Sequence, residues 1–165
     1  MECPKRKQNR IPEYDYSAPG AYFVTICTQE RRCILSDVHT VGDGVLDVPQ
    51  VYLSKYGKTV EQTLREIERQ YDYLSIEKYV IMPNHVHLLI HVENDGTSRT
   101  PSPTNAVIPA FVSPLKRFTN QRCGVKLWQR SYHDHVIRNE ADWQEIWDYI
   151  GTNPARWAED RYYTE

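Results

Sequence analysis

Two kinds of hydrophobic pattern alternate along the chain, and together they predict a mixture of strands and helices. Residues 21–28 (AYFVTICT) are rich in β-branched and aromatic side chains, which predicts a strand. Residues 74–82 and 85–92 have the same character. Only Pro83 and Asn84 separate them, so the pair predicts an antiparallel hairpin.

Helical spacing is clearest in residues 53–70 and 139–153. In the first segment, Ser54 is a candidate N-cap and the apolar residues fall on one helical face. In the second, Asn139 is a candidate N-cap and the chain carries an apolar stripe. The stripe consists of Trp143, Ile146, Trp147 and Ile150. Gly151 and Pro154 predict the end of this helix.

The remaining segments give weaker predictions. Residues 110–121 predict a helix. Pro114 argues against a helical first turn at residues 110–113, unless the helix begins at Pro114 itself. Residues 33–51 predict loops and one short strand, and residues 93–109 predict a polar, proline-rich loop. Strands interleaved with helices favour an α+β protein, in which one face of a sheet is covered by helices.

Composition places the chain among ordinary globular proteins. Its 165 residues predict one domain, and 40% are hydrophobic while 25% are charged. No run approaches 18 apolar residues, so we expect no membrane span. The basic N-terminus is not followed by an apolar segment, which makes the cytoplasm the expected location. The cysteines are scattered without a C-x-x-C pair, and we interpret them as reduced thiols.

Charge is unevenly distributed. The formal net charge of −2 counts mildly against nucleic-acid binding, but basic residues concentrate in two segments. These residues are Lys5, Arg6, Lys7 and Arg10 near the N-terminus, and Lys116, Arg117, Arg122, Lys126, Arg130 and Arg138 later in the chain. They are either solvated surface charges or a phosphate-binding face.

Two histidines interrupt the apolar strand at residues 85–92. His85 and His87 lie two positions apart, so they share one face of the strand, about 7 Å apart along it. Val86 and Leu88 point the other way, into the core. Two imidazoles at this spacing can converge on one divalent cation, although exposed or hydrogen-bonded histidines without a ligand are the alternative.

The last predicted helix supplies further candidate groups. Tyr149 and Asn153 are four residues apart and therefore share a helical face. A tyrosine hydroxyl can act as a nucleophile, and an asparagine oxygen is a good ligand for Mg²⁺ or Mn²⁺. Simple packing of Tyr149 and a helix stop at Asn153 remain open alternatives.

The motifs MPNHVHLL (residues 82–89) and WQRSYHDHVIRNEADWQEIWDYIGTNPARW (residues 128–157) resemble those of HUH single-tyrosine transposases. The similarity is closest to the branch of REP-associated tyrosine transposases. Residues 14–28 also resemble the opening of these proteins, and the match extends from about residue 10 to 158.

The resemblance implies a ferredoxin-like antiparallel sheet covered by helices, the HUH nuclease fold. It implies that His85, His87 and Asn153 bind Mg²⁺ or Mn²⁺ and that Tyr149 is the nucleophile, with Tyr132 as its rival. Such a protein would cut and rejoin single-stranded DNA at hairpin-associated sites through a 5′-phosphotyrosine. No nucleotide cofactor is expected, and the sequence contains no G-x-x-x-x-G-K-[ST] loop.

The resemblance also implies a DNA interface. The basic residues from Lys116 to Arg138 would bind backbone phosphates, and Trp128 and Tyr132 would stack on unpaired bases. The predicted organisation is a basic N-terminal arm (residues 1–20) that could grip a hairpin stem, a transposase domain (21–158) and a C-terminal tail (159–165).

Several alternatives stay open. The chain could be a non-catalytic hairpin-DNA-binding protein derived from a transposase, or a His-ligated metal hydrolase that does not use tyrosine. The active unit could be a monomer or a homodimer, and we expect no membrane partner.

Overall fold

The computed structural model describes residues 18–41, 48–93 and 106–164. The predicted N-terminal arm, with Lys5, Arg6, Lys7 and Arg10, lies outside the described residues apart from its last three positions. Within the described ranges, no helix is both long enough and apolar enough to cross a membrane.

Within the described residues, nine strands and helices form the fold. They are β1 (Gly20–Cys27), β2 (Ser36–Val41), β3 (Val48–Leu53), α1 (Lys55–Glu68), β4 (Leu74–Ile81), β5 (His85–Val92), α2 (Val107–Cys123), β6 (His133–Ile137) and α3 (Glu140–Thr152). Two 3₁₀ segments, Gln29–Arg31 and Asn153–Glu159, follow β1 and α3. Strands β1, β4 and β5 and helices α1 and α3 lie close to where the hydrophobic pattern predicted them.

The main sheet has the order β4-β5-β1-β6, with every neighbouring pair antiparallel. Between β1 and β4 the chain forms β2, β3 and then α1, and between β5 and β6 it forms α2. This β-α-β-β-α-β order, with β1 and β5 in the centre, is ferredoxin-like. The predicted fold class is therefore confirmed, and β5 is a central strand.

One side of the sheet, which we call the core face, is packed against α1 and α2. Its strand residues Val24, Val86 and Leu88 are fully buried, as the alternation of side chains predicted for β5. Helix α1 contributes Leu64 and α2 contributes Phe111 to the same cluster. Close packing of this apolar layer holds the two connecting helices on the sheet.

The other side, which we call the histidine face, carries His85 and His87. We expected helices on one face only, but α3 covers this face too. Ile150 of α3 packs against Phe23 of β1 and Leu89 of β5. Burial of the predicted apolar stripe explains this arrangement, because an amphipathic helix is stabilised mainly by packing its apolar side.

Helix α2 differs from its prediction because it begins at Val107 and continues through Pro114. Proline provides no N–H for the carbonyl of Ala110, four residues earlier. The hydroxyl of Tyr71 donates to that oxygen instead, at 3.2 Å. Burial of Ile108 and Phe111 adds the apolar packing that offsets the cost of an internal proline.

Two other segments also depart from the predictions. Residues 36–41 and 48–53 pair as two antiparallel strands, β2 and β3, where one short strand was expected. Gly151 lies within α3, which continues to Thr152 and then tightens into the 3₁₀ segment that contains Pro154. The Lys78 ammonium lies 2.7 Å from the position that a Cβ at residue 151 would occupy, so the lysine side chain would have to shift to admit one.

Candidate active site

The paired histidines lie side by side on the histidine face. Both are fully buried, and their ring centroids are 4.4 Å apart. His85 is opposite Cys27 and His87 is opposite Thr25 on β1. A central strand paired on both sides gives the imidazoles a rigid support.

Hydrogen bonds orient both imidazoles in the same way. The Nδ1 of His85 lies 2.8 Å from Asn84 Oδ1, and the Nδ1 of His87 lies 2.8 Å from Thr25 Oγ1. Asn84 Nδ2 donates to the backbone oxygens of Tyr162 (2.7 Å) and Arg31 (3.3 Å), which fixes the direction of its amide.

Because the Asn84 oxygen can only accept, His85 carries its proton on Nδ1 and leaves the lone pair on Nε2 free. The Nε2 atoms of both His85 and His87 are buried without a hydrogen-bond partner. Such an outer hydrogen bond on one ring nitrogen, with the other nitrogen available, is typical of metal-ligating histidines.

Helix α3 brings Tyr149 and Asn153 to the same place. The Tyr149 ring centroid lies 5.2 Å from that of His87, and the phenol ring is half-buried. Asn153, the C-cap of α3, is only 2% exposed, and its Oδ1 has no hydrogen-bond partner. The structure therefore brings together all four residues that we predicted for the catalytic centre.

A carboxylate that the sequence analysis did not select completes the cluster. Asp160 Oδ2 accepts from Asn153 Nδ2 at 2.6 Å and from the Tyr149 hydroxyl at 3.3 Å. One ligand atom each from His85, His87 and Asp160 lies within 4.8 Å of the others. This His-His-Asp set can hold a divalent cation, and buried nitrogen atoms without partners support the fit.

The segment that we predicted as a C-terminal tail, from residue 159 onward, packs against this site. Tyr162 is 3% exposed, and its ring centroid lies 4.7 Å from that of His85. Its backbone N–H donates to Asp160 Oδ1 at 2.7 Å. The site therefore depends on residues that follow the 3₁₀ segment.

Burial dominates the protonation of these groups. It lowers the pKa of His85 to about 4, a shift that the nearby Asp160 carboxylate partly opposes. It lowers the pKa of His87 well below the usual range, and the neighbouring His85 adds to the effect. Both rings are neutral at pH 7, which is the form that binds metals.

Burial also raises the pKa of Tyr149 to about 12, and the Asp160 charge contributes further. The phenol is therefore protonated at neutral pH. It can lose that proton only if another group accepts it or a positive charge stabilises the phenolate.

Lys116, Arg122 and Trp128, which we predicted to bind DNA, each have a partner within the protein. Lys116 donates to the backbone oxygens of Gln129 and Ser131 at 2.9 and 2.8 Å, and burial lowers the pKa of Lys116 to about 8. Arg122 pairs with Glu66 of α1 at 2.6 Å.

Trp128 is 2% exposed and donates to Thr119 Oγ1 at 2.7 Å. It is a core residue, and its burial leaves no ring face on which a base could stack.

The other predicted interface residues are divided between regions. Arg117 is exposed on α2, behind the core face, and Tyr132 is half-buried against that same face. Lys126, Arg130 and Arg138 are exposed. The segment that contains Lys126 and Arg130 runs beside the end of β1, where Gln129 N–H donates to the Cys27 oxygen at 3.0 Å.

Sequence and structure comparisons find proteins that are similar to this chain. No protein-family model matches the chain. An uncharacterized protein of Haemophilus influenzae is 27% identical over 180 residues, covering 97% of this chain and 94% of that one. The REP-associated tyrosine transposase of Escherichia coli is 24% identical over 145 residues, covering 86% of this chain and 70% of that one.

A solved structure described as a REP-associated tyrosine transposase bound to a REP hairpin has the same fold. It superposes with a TM-score of 0.62 at 19% identity, covering 89% of this chain and 73% of that one. In this chain too, the ferredoxin-like sheet carries its histidine pair beside a tyrosine of α3. The resemblance inferred from the motifs is confirmed, because the chain is related to the REP-associated tyrosine transposases.

Proposed function

We propose that this protein is a metal-dependent transposase and endonuclease that cleaves and rejoins single-stranded DNA at hairpin-associated sites. The observation that carries the proposal is the convergence of the Tyr149 phenol with His85, His87, Asn153 and Asp160. Relatedness to REP-associated tyrosine transposases supports an enzyme of this kind, and one solved structure of the same fold is described as bound to a REP hairpin.

The proposed metal centre uses Nε2 of His85, Nε2 of His87 and an oxygen of Asp160 or Asn153. Mg²⁺ and Mn²⁺ are the expected ions, because the oxygen donors suit both and Mn²⁺ also accepts imidazole. A bound ion would offset the negative charge that develops on the phosphoryl oxygens during attack.

Tyr149 is the proposed nucleophile. Its hydroxyl proton passes to the Asp160 carboxylate while the phenolic oxygen bonds to phosphorus and the 3′ oxygen leaves, taking up a proton. The resulting 5′-phosphotyrosine conserves the phosphodiester energy, so a later attack by a DNA 3′-hydroxyl can rejoin strands without a nucleotide cofactor. Tyr132 is a weaker candidate because it packs on the core face.

Lys126, Arg130 and Arg138 remain proposed contacts to DNA phosphates, because each is exposed. Arg117 is also exposed but lies behind the core face, so a long single strand would be needed to reach both regions. A basic N-terminal arm, a homodimer and a cytoplasmic location remain expectations from the sequence.

A second function is favoured by Asp160. Two histidines and a carboxylate form a complete metal-ligand set, so a hydrolase could activate water without using a tyrosine. This alternative predicts free DNA products and no covalent protein–DNA adduct. A non-catalytic hairpin-binding protein predicts binding with neither outcome.

The deciding experiment incubates the protein with a library of single-stranded hairpins and Mn²⁺, followed by denaturing gels. We expect an adduct that disappears in Tyr149→Phe and in His87→Ala. Tyr52→Phe, at an exposed tyrosine of β3, is the matched control and should retain it. An adduct undiminished in Tyr149→Phe would move the nucleophile to Tyr162 or Tyr132, whereas cleavage without any adduct would favour the hydrolase.

A further inference from the structure

Two arginines that the sequence analysis did not select converge beside the candidate active site. Arg31 belongs to the 3₁₀ segment after β1, and Arg161 follows Asp160. Their guanidinium carbons lie 5.5 and 4.7 Å from the centre of the same ring, that of Tyr162. Arg31 Nη1 also donates to the backbone oxygen of Arg161, at 3.4 Å.

The shared ring lies directly against the histidine pair. Tyr162 is buried with its centroid 4.7 Å from His85 and 5.9 Å from His87. Both arginines are exposed, so their charges stand at the edge of the site rather than inside it. Among the described residues, neither arginine has a salt bridge to a carboxylate within 4.0 Å.

Open space adjoins Arg161. A cavity of about 650 Å³ is bordered by Phe23, Tyr149 and Arg161, and a neighbouring cavity of about 530 Å³ shares Phe23 and Arg161 and extends to His133. An extended strand of DNA lying in this space would bring its backbone past the Tyr149 hydroxyl and the Arg161 guanidinium together.

The backbone at Arg31 is held in an unusual conformation. Glu30 and Arg31 both have positive φ angles, 57° and 55°. Residues other than glycine adopt this region rarely, and consecutive examples persist only where surrounding contacts hold them. Here Asn84 Nδ2 and Thr164 Oγ1 both donate to the Arg31 oxygen, at 3.3 and 3.2 Å.

Asn84 therefore has two tasks. Its oxygen accepts from His85 Nδ1, while its nitrogen holds the Arg31 backbone. The position of one arginine is thereby coupled to the orientation of a proposed metal ligand. Strain that is maintained by an active-site residue points to a functional position for the strained side chain.

We propose that Arg31 and Arg161 form a clamp for one backbone phosphate of single-stranded DNA, next to the phosphodiester that Tyr149 attacks. A guanidinium presents several N–H donors that match phosphate oxygens. Arg31 uses one donor on the Arg161 oxygen and Arg161 uses one on the Tyr162 hydroxyl, so each would bind the phosphate with its remaining N–H groups. The clamp also offsets repulsion between the phosphate and Asp160. This inference rests on the proposed function and adds positioning residues to it.

The test replaces single phosphates near the cleavage position by uncharged methylphosphonates. On unmodified DNA, we expect Arg161→Gln to lower kcat/KM for adduct formation by about 100-fold and Arg31→Gln by about 10-fold. At one position, the methylphosphonate should lower kcat/KM of the unmutated enzyme by a similar factor. For Arg161→Gln, kcat/KM on that modified strand should equal kcat/KM on unmodified DNA. If the loss caused by Arg161→Gln and the loss caused by the methylphosphonate multiplied at every position, the clamp would be overturned.

Two controls keep the result specific. Arg69→Gln removes the same charge from an exposed site at the end of α1, and it should retain the normal rate. Arg161→Lys keeps the charge but loses the paired N–H donors of the guanidinium, so it should recover only part of the rate. If Arg161→Gln failed to fold, as judged by its melting temperature, Arg161→Lys with the same DNA series would still decide the question.

A binding measurement separates this inference from the proposed function. Anisotropy titrations with Tyr149→Phe and the same modified strands require no cleavage. The clamp would be supported, even if no adduct formed, by one phosphate with the following property. Its neutralisation weakens DNA binding by Tyr149→Phe but not by the Tyr149→Phe/Arg161→Gln double variant. Adduct formation by the unmutated enzyme, with no such phosphate in either assay, would overturn the clamp and leave the transposase proposal intact.

Discussion

The two faces of the sheet are built from alternating residues of the same strands but use burial differently. On the core face, Val86 and Leu88 pack with α1 and α2 into an apolar layer. On the histidine face, His85 and His87 are equally buried but keep nitrogen atoms without partners. One face stabilises the fold, while the other places unsatisfied polar atoms where a ligand can satisfy them.

The largest expected stability effect lies on the core face. Leu88→Ala removes a fully buried side chain and leaves a cavity, so it should lower the free energy of unfolding by about 3–5 kcal/mol. Urea denaturation measures the loss. His87→Leu is the comparison on the opposite face, and an equal loss there would remove the distinction between the faces.

Acid should weaken the histidine face next. Burial lowers the pKa of His85 from 6.5 to about 4, so protonation favours the unfolded chain. This contribution to stability is fully present above pH 6.5 and is lost as the pH falls toward 4, by about 3 kcal/mol. Denaturation at a series of pH values should show the loss. His85→Gln should make the profile shallower, with the remaining slope due to His87, whose pKa burial also lowers. His39→Gln, at an exposed histidine, should leave the profile unchanged.

A divalent ion should stabilise the protein through the histidine face, whereas acid destabilises the protein through that face. At about 100 times its dissociation constant, Mn²⁺ should raise the free energy of unfolding by about 2.7 kcal/mol. Chelation should remove the increase. His87→Leu should unfold at the same point with or without Mn²⁺, because one proposed ligand is missing, and a full metal response in that variant would refute the ligand assignment.

The smallest effect concerns α2 behind the core face. Tyr71→Phe leaves the Ala110 oxygen without its hydroxyl donor and should cost about 1 kcal/mol. Pro114→Ala restores a helical N–H for that oxygen, so Tyr71→Phe should cost less in that background. A double-mutant cycle by urea denaturation measures the coupling, and strictly additive losses would contradict it.

Local sequence patterns predicted much of this structure because they are decided by near neighbours. Ser54 and Asn139 cap their helices as expected, each accepting from backbone N–H groups within three residues. The shared face of His85 and His87 follows from strand geometry alone. Placing Tyr149 beside them required the motif resemblance, since periodicity does not say which face of a sheet a helix covers.

The features that the sequence analysis did not foresee have a different origin. Asp160 follows a 3₁₀ segment that turns the chain back toward the histidines, and no local periodicity announces such a turn. Its acidic side chain shortly after the Tyr149–Asn153 pair was the available signal. Lys116 and Trp128 were assigned to DNA by residue type, whereas their partners are backbone oxygens and a buried hydroxyl that only the tertiary structure supplies.

The hydrogen bonds of Asn84 have a consequence for how the molecule folds. This residue in the β4–β5 turn contacts backbone oxygens 53 residues before it and 78 residues after it. Contacts of that separation require long loops to close, so they form late and together with the global fold. A partly folded chain that already contains the β4–β5 hairpin would therefore display both imidazoles but lack an organised centre.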